Sequence, residues 1–108
     1  MAQDFRNVLV RPIGTADTTL LAGGNYDAVI GIRCCNILTS TIAVDVKIAK
    51  GGNDFFLAKG VSIPPNSAIE LIQGGAKIVL AIGDTLEAVS DTASSLDVVL
   101  SYIDTISS

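Results

Sequence analysis

Apolar and polar residues alternate with a period of two along much of this chain. The cleanest case lies between residues 41 and 49. There Ile42, Val44, Val46 and Ile48 interleave with Ala43, Asp45 and Lys47. A strand puts the first set on one face and the second on the other, whereas a helix would scatter both around a cylinder. Residues 26–36 predict a longer strand. Ala28, Ile30, Ile32 and Cys34 share one face, and Val29, Gly31, Arg33 and Cys35 share the other. Both faces are partly apolar, which predicts a central strand. Shorter strands are predicted at 8–10, 18–22, 54–59, 61–63 and 67–72. The separators are turn signals: Gly23-Gly24-Asn25, the run from Lys50 to Asp54, Pro64-Pro65-Asn66 and Gly74-Gly75. Glycine makes positive φ cheap, and proline removes a ladder donor.

The stretch 76–90 decides between architectures. Two apolar runs flank Gly83-Asp84. A two-residue hairpin there would set Ile82 against Thr85 and Leu80 against Glu87, an apolar row against a polar one. Ile78, Leu80, Ile82, Leu86 and Ala88 instead share one parity. That favours an arch, in which the chain crosses to a second sheet and both arms point inward. The tail reads two ways. Leu86, Val89, Ala93, Leu96, Leu100 and Ile103 fit a helical stripe with Asp84 as N-cap. Leu96, Val98, Leu100 and Tyr102 fit a strand. The turn-like 91–95 segment and the β-branched content favour strand. The expectation is an all-β chain of about eight short strands, an antiparallel two-sheet sandwich or jelly roll. Residues 1–7 read as an N-terminal arm, or a first edge strand, and 8–108 as a single β-sandwich domain.

Composition sharpens this picture. The 108 residues are 49% hydrophobic and 17% charged, as in a globular domain, yet only 5% aromatic and without Trp. A core of small β-branched residues buries little area per residue, so a sheet face or edge is expected to be covered by a partner. The net charge is −4, and the seven basic residues are scattered. No basic stripe interleaved with aromatics exists, so nucleic-acid binding is not expected. No apolar run approaches the ~20 residues of a transmembrane helix. The first six residues lack an apolar signal core, so synthesis and retention or assembly in a cytosol are expected.

Candidate chemistry changes little. The chain has no His, which removes the commonest general base, and Glu70 and Glu87 are its only glutamates. Cys34 and Cys35 are adjacent, so in a strand they point to opposite faces and cannot readily bridge. Two reduced structural thiols are expected, one in the core and one outward or at an interface. The glycine pairs match no phosphate-binding loop. Asn53-Asp54 and Asp84 read as turn caps rather than calcium ligands. No catalytic residue, cofactor or metal is predicted.

One order of segments carries a resemblance. Val61-Ser-Ile-Pro-Pro-Asn-Ser-Ala-Ile-Glu-Leu71 is followed by Lys77-Ile-Val-Leu80, Gly83-Asp-Thr-Leu86 and Val98-Val-Leu-Ser-Tyr-Ile103. This pattern, across about residues 26–104, resembles small virion proteins of tailed bacteriophages. The resemblance implies a β-sandwich that decorates or cements a capsid, or sits in the neck or tail, without catalysis. Its partners would be the major capsid protein or other virion proteins. The chain would be a homo-oligomer, a trimer by preference, located in a virion assembled in host cytoplasm. Contact residues are expected in the arm and the exposed loops: Asp4, Phe5, Arg6, Asn25, Asn53, Asp54, Pro65 and Asn66. The rival from another class is a carbohydrate- or ligand-binding β-module. The scarcity of aromatics argues against it.

Overall fold

Strand alternation governs the computed structural model, which describes residues 5–23, 26–72 and 77–104. Among these, nine strands form and no helix does. They are β1 (Phe5–Ile13), β2 (Thr18–Ala22), β3 (Asp27–Asn36), β4 (Ile42–Lys50), β5 (Asn53–Ile63), β6 (Ala68–Glu70), β7 (Ile78–Leu80), β8 (Thr85–Ser90) and β9 (Leu96–Ile103). One sheet has the order β1-β9-β3, with β6 and β7 sharing the far side of β3. The other has the order β2-β8-β4-β5. Every pairing is antiparallel. The fold is therefore an all-β, two-sheet antiparallel sandwich, as the alternation predicts. β6 lies beside Arg33 to Cys35 and β7 beside Asp27 to Val29, so together they act as one interrupted edge strand.

Most connections cross between the sheets. Within a sheet, consecutive strands are joined only at the β4–β5 hairpin and the β6–β7 step. The arch at 81–84 is one crossing, linking β7 to β8. Asp84 accepts a hydrogen bond from the Ala81 amide at 2.9 Å and donates its own amide to the Ala81 carbonyl at 3.0 Å. Its carbonyl accepts from the Gly23 amide at 2.7 Å. Ile78, Leu80, Leu86 and Ala88 face or border the core as expected. Ile82 does not. It stands at the tip of the turn, 59% exposed, because the bend at Gly83 (φ 90°) interrupts the parity one residue early.

The core is the facing rows of small aliphatics. Ile42, Val44 and Val46 of β4 and Leu86 and Ala88 of β8 meet Val29, Ile32 and Cys34 of β3 and Leu96, Val98 and Leu100 of β9. Each buried Val, Leu or Ile contributes about 1.5–3 kcal/mol. The tail is strand, as the β-branched residues favour.

One open reading resolves and two expectations need correction. Residues 5–7, read as arm or first edge strand, are the first residues of the edge strand β1 and pair with Ile103, Tyr102 and Ser101 of β9. Edge pairing needs backbone groups rather than apolar periodicity, so a polar sequence did not prevent it. The segments 54–59 and 61–63 are one strand, β5. Gly60 adopts φ 65° and donates its amide to Asp45 at 2.7 Å, so the break becomes a bulge. In β3 the ladder shifts at Ile30, between Val29 and Gly31. The extra residue switches parity, so Val29 and Ile32 both face the core. The expected pairing of Ile30 with Ile32 on one face does not occur.

Candidate functional site

The crossings sort the loops into two ends. At one end lie the loops after β1, β3, β5 and β8. Asn36, fully buried at the end of β3, ties the loops after β3 and β5 together. Its side-chain amide donates to the carbonyls of Ser40 (2.8 Å), Ile63 (3.0 Å) and Pro64 (3.1 Å), and its oxygen accepts from the Leu38 amide at 2.9 Å. The buried hydroxyls of Ser90 and Ser95 lie 2.6 Å apart, and Ser95 also reaches the Thr92 carbonyl at 2.7 Å. Asp91 accepts from the Ala43 amide at 3.1 Å, which holds its carboxyl below the usual Asp value, helped by the Thr92 hydroxyl.

The other end carries the loop after β2, the Gly51-Gly52 hairpin and the 81–84 arch, beside the start of β1 and the end of β9. Gly51 and Gly52 have φ of 61° and 83°, the positive pair a two-residue hairpin requires. Lys50 pairs with Asp84 at 3.1 Å. The Asp84 carboxyl is held low first by the Ala81 amide and then by Lys50, against the opposing effect of burial.

The expected contact residues divide between these ends. Phe5 and Arg6 lie on β1, where Arg6 pairs with Asp104 at 2.8 Å. They border an open depression of about 690 Å³ shared with Asn7, Ile30, Ser101 and Tyr102. Burial and the nearby Asp104 push the Tyr102 hydroxyl up. Asn53 and Asp54 share that end but open β5 rather than sit in a loop. Pro65 and Asn66 lie at the opposite end, where the Asn66 amide donates to the Leu38 carbonyl at 3.2 Å. Asp4 and Asn25 fall outside the described residues.

Lys47 was expected to point outward, and it does, yet it is buried. Its ammonium lies 2.9 Å from Asp17 and 3.0 Å from Asp54, with the Phe56 ring 5.9 Å away. The hydrogen bonds to Asp17 and then Asp54 raise its pKa against the pull of burial. The loop after β1 folds across the sheet to supply Asp17, and no period-two pattern encodes that cover. Cys34 is buried and its thiol is pushed up to about 12, by burial first and by Glu70 second, so it makes a poor nucleophile. Cys35 lies on the opposite face, half-buried.

Sequence reasoning expected a sheet face or edge for a partner but did not place the exposed apolar surface. Leu9 of β1 and Val99 of β9 are cross-strand partners, 68% and 44% exposed. Phe55, Phe56 and Leu57 on the edge strand β5 are 58%, 42% and 38% exposed. The signal was available in one place: three consecutive bulky residues cannot all face one core. No cluster of His, Cys, Asp and Glu suited to a metal occurs among the described residues.

These features define a β-sandwich whose distinguishing surface is apolar rather than chemical in character. No protein-family model and no curated protein matches the sequence. Two solved structures share the fold, both described as a pentameric capsid protein isolated from metagenomic phage sequences. Each superposes with a TM-score of 0.53 at 18% identity over 92% of this chain. This chain spans 64% and 62% of their respective lengths.

Proposed function

We propose that this chain is a structural protein of a bacteriophage virion, a decoration or cement subunit that stabilises a capsid through repeated surface contacts. The observation that carries the reading is the fold likeness to the two phage capsid proteins over nearly the whole chain. The strand order supports it. With β6 and β7 counted as one interrupted strand, the two four-stranded sheets have the connectivity of a jelly roll, a fold frequent in viral capsids. The exposed apolar residues on β1, β9 and β5 suit a subunit that is buried by neighbours.

In this reading the chain works by area and symmetry. Each contact is modest, and repetition over a symmetric particle multiplies it into avidity. The partners are copies of the chain and the major capsid protein, and the place of action is the virion. The homo-oligomer is a closed ring. The fold neighbours favour five-fold symmetry over the trimer expected from the sequence.

Sedimentation of the purified protein, with co-sedimentation on particles of the phage that carries this gene, tests the proposal. The expected species is a ring of five times the 11.1 kDa chain mass that pellets with particles. A monomer at high concentration that ignores the particles would overturn it.

A further inference from the structure

β1 packs against β2 and β8 across the sandwich, so β1 and β5 lie at opposite lateral edges. Each edge carries its own apolar patch. Near β1, a hollow of about 270 Å³ on the β1–β9 ladder is lined by Leu9, Val10, Arg11, Asp97, Val98 and Val99. Asp97 follows the same outward parity as Val99. Its Oδ1 is buried and has no hydrogen-bond partner, the one such side-chain atom among the described residues. The residue as a whole is half-buried and joins none of the ion pairs among the described residues, so its charge is left for a partner.

The β5 edge has the complementary features. Phe56 points outward in register with Lys47, and Leu57 is the extra residue of a bulge between Lys47 and Val46. Lys59 Nζ sits 4.2 Å from the centre of the Phe56 ring, and no carboxylate pairs with it among the described residues. The edge thus offers an aromatic knob beside an unpaired cation. Phe55 pairs with Ile48 and so points to the other face of the sheet. An aromatic side chain carries about 150–250 Å², so Phe56, 42% exposed, leaves on the order of 80 Å² open beside the 38% exposed Leu57. Such an anchor suits the apolar centre of a larger interface.

We infer that the β5 knob of one copy docks into the β1–β9 hollow of a second copy, with Lys59 meeting Asp97. This deepens the homo-oligomer reading above and rests on it. The two patches differ and lie on opposite outer faces, so a contact between them is heterologous. One contact leaves a free knob on one copy and a free hollow on the other. Head-to-tail addition continues until a ring closes. The bulges at Leu57 and Gly60 disrupt the β5 edge, so side chains make the contact rather than an extended ladder.

Complementation between two variants tests this. Leu9→Glu spoils the hollow and Phe56→Glu spoils the knob, and circular dichroism checks that each stays folded. In sedimentation velocity each variant alone should be monomeric. An equal mixture should form a one-to-one heterodimer and nothing larger, since only one intact contact exists between the two. Lys59→Glu and Asp97→Lys should each weaken association at least tenfold, and the double variant should recover the ring. If a glutamate unfolds the chain, Leu9→Ser and Phe56→Ser replace it. The contact is wrong if either single variant assembles like the unaltered protein, if the mixture stays monomeric, or if the double swap fails to recover. A ring that persists and binds particles in both variants sinks this contact alone. A monomeric parent that ignores particles sinks the virion reading with it.

Discussion

The two ends of the sandwich hold their loops by different physics. The Asn36 end uses buried, neutral, short-range polar contacts. One side chain satisfies four backbone groups from two segments, and the Ser90–Ser95 pair locks the β8–β9 turn. The Asp84 end uses glycine geometry and an ion pair open on one side: a hairpin of two positive-φ glycines, the close approach of Gly23 and the pair of exposed Lys50 with largely covered Asp84. Buried hydrogen bonds leave costly orphans when broken, whereas exposed ion pairs contribute little. The Asn36 end is therefore the stability anchor. The Asp84 end can change sequence at lower cost, and it carries Phe5 and Arg6 beside the open depression.

Asn36→Ala should have the largest effect. It removes the donor for three loop carbonyls and the acceptor for the Leu38 amide in a site closed to water. Chemical denaturation should show a loss of about 3 kcal/mol. A loss below about 0.5 kcal/mol would mean that water reaches this end and that the two ends do not differ.

Gly23→Ala comes second and attacks the other end. A methyl group there would clash with the Ala81 carbonyl oxygen, a backbone atom, so the β2 exit or the arch must move. The expected cost is about 1–3 kcal/mol by the same measurement. An unchanged midpoint would show that the arch yields freely.

The smallest effect compares the ends directly through pH. Asp84 and Asp91 are two low-lying carboxyls, one at each end. Their folded pKa values lie below the ordinary Asp value of about 3.9. Their contribution is thus complete above that value and is lost as pH falls through it toward the folded values. Melting temperature should fall on acidification over that window. Asp84→Asn and Asp91→Asn should each flatten the acid limb while lowering stability at pH 7. Added salt should flatten it more for the Asp84 contribution, where Lys50 takes part, than for Asp91, where an amide dominates. Equal salt sensitivity at both sites would erase the distinction.

The sequence by itself determined the strands and most of their inward rows. Ile42, Val44 and Val46 are buried as alternation requires, because period two is a property of the extended backbone and needs no partner to be read. The Gly51-Gly52 hairpin and the arch between β7 and β8 were legible for a similar local reason. Turn chemistry and side-chain parity are both settled within a few residues. Tertiary structure decided the rest. Ile30 became a bulge only when β3 had to match β9 on one side and the broken β6–β7 edge on the other. Lys47 became buried because Asp17, 30 residues earlier, closes over it. Leu9, Val99 and Phe56 became surface because they stand on the outward faces of their sheets, with β1 and β5 at the edges. Strand order depends on pairings between distant segments, and no local pattern records which strands end with an open side.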